Sequence, residues 1–197
     1  MIITQIRSAL WRAKIPILTV AATYFVSVAI GIVMVHSGNQ FALSYRDNLV
    51  AKAHAGVILN QKSQLSKGLA DFGGNSIGAA ADTLGGFGII FPYPVVAYRG
   101  WVGGIVSVDS DHISRLIHPK QAFYYFSVVF MQLLAYSLAA GAGIQAGLSM
   151  FRSRLKNAGF MWFGIPREAL RDILWIYCLV LPIFLIASLW EFLSPWN

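Results

Sequence analysis

The stretch GLADFGGNSIGAAADTLGGFGIIFPYPVVAYRGWVGGIVSV, residues 68–108, decides how this chain folds. It holds ten of the eighteen glycines, two aspartates (Asp71, Asp82), Asn75, Arg99 and the sequence Phe91-Pro92-Tyr93-Pro94, all within an apolar background. Polar and ionisable groups at membrane depth are costly and need compensation. The stretch reads either as one long span or as two shorter ones, and the choice sets the topology of everything around it.

The surrounding chain is apolar. Mean hydropathy is +0.62, with 57% hydrophobic and 12% charged residues, against about a quarter charged in soluble domains. An integral membrane protein is therefore expected. Residues 15–35, 122–150 and 173–190 carry no charge, and about 20 apolar residues suffice to cross a bilayer as helix. The first run is expected to be a retained anchor, since no small-x-small cleavage site follows Val35. Cys178 is the sole cysteine, so disulfides within the chain, zinc fingers and iron–sulfur ligation are excluded by arithmetic. The net charge of +7 comes mostly from residues flanking the runs, which points to anionic lipid headgroups rather than nucleic acid.

Positive charge decides between one span and two. Arg7, Arg12 and Lys14 precede the first run, and Arg152, Arg154, Lys156, Arg167 and Arg171 fill the last connection. Both clusters belong in the cytoplasm, so an even number of crossings separates them. The expectation is an all-α polytopic bundle in one domain, 1–197, with five spans near 15–35, 69–91, 92–108, 122–150 and 173–191. The amino end is inside and the carboxyl end outside a bacterial inner membrane. Residues 36–68 then lie outside despite Arg46, Lys52, Lys62 and Lys67. Within them, segment 41–66 repeats Tyr45, Leu49, Ala53 and Val57 every fourth residue, the pattern of an amphipathic helix on the membrane surface. Residues 109–121 form an outer connection. In the inner one, Met161-Trp162-Phe163-Gly164-Ile165-Pro166 reads as an aromatic interfacial segment, with Pro166 in the first turn of the last helix.

Asp71, Asn75 and Asp82 fall on one helix face with Gly78, at spacings of four and seven. Two readings stay open for this face: a polar seam carrying a proton or cation path, or an interfacial Asp71 and an Asp82 neutralised by Arg99 across the Phe91–Pro94 turn. That Pro-rich segment is itself a tight turn or a re-entrant break. Gln132 and Glu191 are the other polar candidates near membrane depth. Gly74 with Gly78, Gly100 with Gly104, and Gly143 with Gly147 have the spacing that lets membrane helices approach closely. There is no H-E-x-x-H, G-x-S-x-G or phosphate-loop signature, and all four histidines lie outside the apolar runs. No catalytic residue, cofactor or metal site is expected; a surface pair, His112 and His118, is outweighed by the reading of solvated loop histidines.

From Phe72 onward the order of features resembles the stage II sporulation protein M family. Asn75 opens a Gly-rich span, and a Pro-interrupted connection leads to a second one. Residues 139–147 (AAGAGIQAG) resemble its small-residue helix. The basic loop, Leu170-Arg171-Asp172-Ile173 and the close Glu191-Phe192-Leu193-Ser194-Pro195 resemble its tail. The chain departs from the family where Ser127-Val128-Val129 and Gln132 replace a Pro-His-Gly followed by glutamate. The resemblance implies a membrane component of a multi-protein assembly, either a non-catalytic subunit or scaffold working with other membrane proteins or further copies of itself. A permease-like subunit with a polar path through Asp71, Asn75, Asp82 and Gln132 is the alternative, followed by an accessory subunit of a bioenergetic complex.

Overall fold

The computed structural model describes residues 2–54, 63–155, 161–162 and 164–195. Six helices carry the fold: α1 (Ile2–His36), α2 (Gln40–His54), α3 (Gln64–Gly86), α4 (Pro92–Ile105), α5 (Pro119–Leu155) and α6 (Arg167–Leu193). A two-residue hairpin, β1 (Met161–Trp162) with β2 (Ile165–Pro166), precedes α6. Three helices are long and apolar enough to cross a membrane: α1, α5 over Pro119–Arg152, and α6. α3 has the length, but its polar residues dilute it; α4, at 14 residues, is short.

Close approaches fix the helix directions. Gly100 and Gly104 of α4 lie against the Tyr24 and Val28 carbonyls of α1, and Gly31 lies against the Trp101 carbonyl, so α4 runs parallel to α1. Gly86 meets the backbone of Gly143, and Gly147 meets the Phe87 carbonyl, so α3 runs parallel to α5. Gly141 of α5 sits against Ile17, while Tyr125, sixteen residues earlier, donates to the Gly103 carbonyl at the other end of α1. α5 is therefore antiparallel to α1. Tyr177 and Ser188 of α6 face Thr83 and Asp71 in reverse order, which makes α6 antiparallel to α3. Direction thus alternates through α1, α3, α4, α5 and α6. The core between them holds Val20, Tyr24 and Val28, Ala79, Val96, Tyr136 and Ala139, and Ile176, Val180 and Phe184. Phe25, Val33, Leu174 and Ile186 point outward.

Several boundaries differ from expectation. α1 begins at Ile2, well before the apolar run, and tolerates Pro16 inside it. Pro92 and Pro94 do not form the turn: they occupy the first turn of α4, where a missing N–H costs nothing. The turn is Phe87–Phe91, closed by short-range backbone bonds such as Ile89 N–H to the Gly86 carbonyl at 2.8 Å. The amphipathic segment begins as α2, but by Ser63 the chain is already capping α3, with Ser63 and Ser66 bonded reciprocally; Val57 and Lys62 lie outside the described residues. Arg46, one of the positive charges of that segment, is buried and bonds Asp47 at 3.0 Å. α2 packs its Tyr45 on Trp101, with ring centroids 5.0 Å apart, and bonds the Tyr98 hydroxyl at 2.9 Å. Pro166 caps α6 rather than entering its first turn.

Candidate functional site

The polar face of α3 becomes a seam shared with α4, α5 and α6. Asp82 is almost fully enclosed, its side chain 4% exposed, and Arg99 Nη1 donates to its Oδ2 at 2.5 Å. The ion pair therefore spans the α3–α4 turn. The Arg99 guanidinium lies over the Tyr136 ring, 4.0 Å from the centroid, a cation–π contact strengthened where water is excluded. Gly78 makes room for it, since a Cβ there would come within 2.9 Å of Nη2.

From Tyr136 the seam continues toward the end where α6 finishes. The Tyr136 hydroxyl donates to Asn75 Oδ1 at 2.7 Å, Asn75 Nδ2 donates to Asp71 Oδ2 at 2.8 Å, and Ser188 Oγ donates to the same oxygen at 2.7 Å. Ser188 is one helical turn from Glu191, whose Oε2 accepts from Gln132 Nε2 at 3.1 Å. The Tyr124 hydroxyl donates to the Glu191 carbonyl at 2.7 Å, and Trp190 Nε1 to Ser127 Oγ at 2.7 Å. In the other direction, Thr83 Oγ1 lies 3.0 Å from the carbonyls of Ala79 and Ala139 and 2.7 Å from the Tyr177 hydroxyl. Every carboxylate along the seam accepts from a named group of the same chain, as buried charge requires.

All six polar candidates, Asp71, Asn75, Asp82, Arg99, Gln132 and Glu191, line this seam, the last two as a pair at its end. The glycines divide differently. Gly100 and Gly104 form the α1–α4 crossing, and Gly143 and Gly147 the α3–α5 crossing. Gly74 and Gly78 form none: a Cβ on Gly74 would meet nothing within 4 Å, and Gly78 accommodates a side chain. The α3 contribution to close packing is Gly86, and that of α1 is Gly31. Tyr136, Tyr177, Ser188 and Thr83 were not singled out in the sequence, because single hydroxyls inside apolar runs leave the hydropathy pattern intact.

A second ion pair ties the other termini of the bundle. Arg12 Nε and Nη2 donate to Asp172 Oδ2 and Oδ1 at 2.6 and 2.5 Å, the bidentate geometry that favours arginine over lysine. Nothing in the sequence singles Asp172 out, since Glu168 stands among the same basic residues. At the opposite end, His112 meets Asp47 at 3.0 Å and His36 bonds Ser114 Oγ at 2.6 Å. No group of three or more His, Cys, Asp or Glu among the described residues is placed to hold a metal. No family model, no curated protein and no solved structure matches this chain.

Proposed function

We propose that this chain is a non-catalytic, five-span subunit or scaffold of a membrane protein assembly, of the stage II sporulation protein M type. α3 and α4 cross the bilayer beside α1, α5 and α6, with the amino end in the cytoplasm of a bacterial cell and the carboxyl end outside. α2 rests on the outer surface, and the basic inner connection meets anionic headgroups. The observation that carries the reading is the use of the seam's carboxylates. Asp82 is held by Arg99, Asp71 by Asn75 and Ser188, and Glu191 by Gln132. Gln132, where the resembled family carries an ionisable group, is itself absorbed in packing. What the bundle offers outward is apolar helix surface, and its partners are other membrane proteins.

The test is purification in gentle detergent with identification of the co-purifying proteins, for the wild type and Asp82→Asn. Both should retain the same partner. A chain that isolates only as a monomer contradicts the reading.

One observation favours a second reading, a permease-like path. The seam gathers Asp71, Asp82 and Glu191 against the single guanidinium of Arg99, an excess of acid suited to a proton or cation. A coupled permease loses transport in Asp82→Asn, and preserved uptake removes this reading.

A further inference from the structure

One helix crossing is built twice, with the chain running in opposite directions. In α1 and α4, Gly104 lies on the carbonyl of Val28, and Gly31, three residues beyond Val28, lies on the Cα of Gly104 and the amide nitrogen of Ile105. In α3 and α5, Gly143 lies on the carbonyl of Thr83, and Gly86, three residues beyond Thr83, lies on the Cα of Gly143 and the amide nitrogen of Ile144. Backbone pressed on backbone leaves no side chain to repack, so each pair moves as one piece. Polar bonds enlarge the two pieces. Thr19 with Tyr93 and Tyr45 with Tyr98 gather α1, α2 and α4. Asn75 with Tyr136, Asp71 with Ser188, Thr83 with Tyr177, and Gln132 with Glu191 gather α3, α5 and α6.

Between these two bodies the fastenings are few and uneven. Near one end stand the Phe87–Phe91 turn, the bidentate Arg12–Asp172 pair and the close approach of Gly141 to Ile17, where α1 packs on α5. Away from that end, α4 reaches the other body through Arg99, bonded to Asp82 and laid over Tyr136, and through the Gly103 carbonyl, which accepts from Tyr125 at 2.7 Å. Beyond their turn, α3 and α4 share no hydrogen bond or ion pair among the described residues except Arg99–Asp82. We propose that the body of α1, α2 and α4 pivots at the turn end against the body of α3, α5 and α6, and that Arg99–Asp82, with Tyr125 behind it, is the latch that keeps the far ends of α3 and α4 together. Opening the latch uncovers Asp82 and Tyr136 between the arms. A charge-assisted pair suits this work, being strong while closed and released when either charge is cancelled. The device is the gate that the permease-like reading requires, and it rests on the packing alone.

The test measures distances between paired spin labels on the full chain in lipid nanodiscs, with Cys178→Ser as background. Labels at Leu69 and Ser44 report the far ends of the two bodies, and labels at Leu84 and Val95 report the turn end; all four positions are exposed. Leu69 with Ile186 lies within one body, and Phe25 with Val95 within the other. Asp82→Asn cancels one charge while keeping the shape, and Asp82→Leu/Arg99→Met removes both. In each variant the Leu69–Ser44 pair should gain a population, lacking in the wild type, that is longer by about 5 Å or more, a displacement of one helical turn. The other three pairs should stay in place. An unmoved Leu69–Ser44 distance in both variants overturns the proposal, and so does equal lengthening of the other pairs, which is loosening of the whole bundle. Where Asp82→Asn fails to accumulate, the double variant decides alone. Uptake separates the gate from the reading it serves: lost transport with an unmoved distance removes the gate, whereas a moved distance with preserved uptake removes the permease and leaves the hinge.

Discussion

Gly104 sits with the Val28 carbonyl where a Cβ would stand, and Gly143 does the same with the Thr83 carbonyl. Backbone cannot swing aside as a flexible side chain can, so Gly104→Ala and Gly143→Ala must part the helices, at a cost of about 1–3 kcal/mol each. Gly74→Ala, with nothing within 4 Å, instead gains up to about 1 kcal/mol from reduced backbone freedom in the unfolded chain. SDS titration followed by circular dichroism ranks the three, and equal losses at Gly74 and Gly104 would contradict the crossing geometry. The same titration addresses Asp82 and Arg99. Either Asp82→Leu or Arg99→Met alone strands a buried charge and costs about 3–5 kcal/mol, whereas the double replacement returns close to wild type. Additive losses would mean the two side chains are not coupled. This seam was legible on α3 because four-and-seven spacing puts Asp71, Asn75 and Asp82 on one face. Tyr136 and Ser188, which complete it, were hidden because a hydroxyl on an otherwise apolar helix changes neither charge nor periodicity.

At the scale of elements, the hairpin of α3 and α4 was readable from its glycines and prolines, but its turn was displaced. Two prolines within three residues signal a break, yet they serve equally well at a helix start, and that is where Pro92 and Pro94 stand. The chain reverses just before them through Ile89, whose φ of 63° is unusual for a β-branched residue, so no turn signature marked the site. α2 was visible as fourfold periodicity, but the burial of Arg46 was not, because its head group folds onto the neighbouring Asp47. That carboxylate joins α2 to the connection between α4 and α5 through His112. The Arg46 hydrogen bond, followed by the one from His112, holds Asp47 below the ordinary carboxylate range. A lowered value means that the stabilisation is present above the unfolded pKa and is lost as pH falls through the folded one. The group is exposed, so the effect is under about 1 kcal/mol, and it should appear below about pH 4. Spin labels at Ser44 and Ser110 report it: the distance distribution is narrow at pH 5, broadens in more acidic solution, and is broad throughout in Asp47→Asn. A distribution indifferent to both changes would show that Asp47 does not fasten α2.

Over the whole molecule, two independent features bear on topology. Charge density predicts one side for the amino-terminal basic cluster and the last connection, and Arg12 and Asp172, one from each region, bond at 2.5 Å. Helix direction alternates through α1, α3, α4, α5 and α6, so the ends of α1 and α6 marked by that ion pair share one face of the bundle. Parity was accessible to sequence because it needs only the count of reversals. Which helices touch was not, since the crossings depend on single glycines, Gly31 and Gly86 among them, whose partners lie far along the chain. Under the proposed five-span reading the Asp82–Arg99 pair, enclosed by the helices themselves, lies level with Tyr24, midway along the apolar run 15–35. With Cys178, which is exposed, replaced by serine, cysteines introduced at Lys62, between α2 and α3, and at Lys156, after α5, should react with impermeant maleimide from opposite sides of intact cells. Lys62 is labelled from outside and Lys156 only after permeabilisation. Outside labelling at Lys156 would reverse the orientation, and a further cysteine at Ile90, exposed in the α3–α4 turn, should react only after permeabilisation if α3 and α4 both cross, whereas outside labelling there would leave only α1, α5 and α6 as spans.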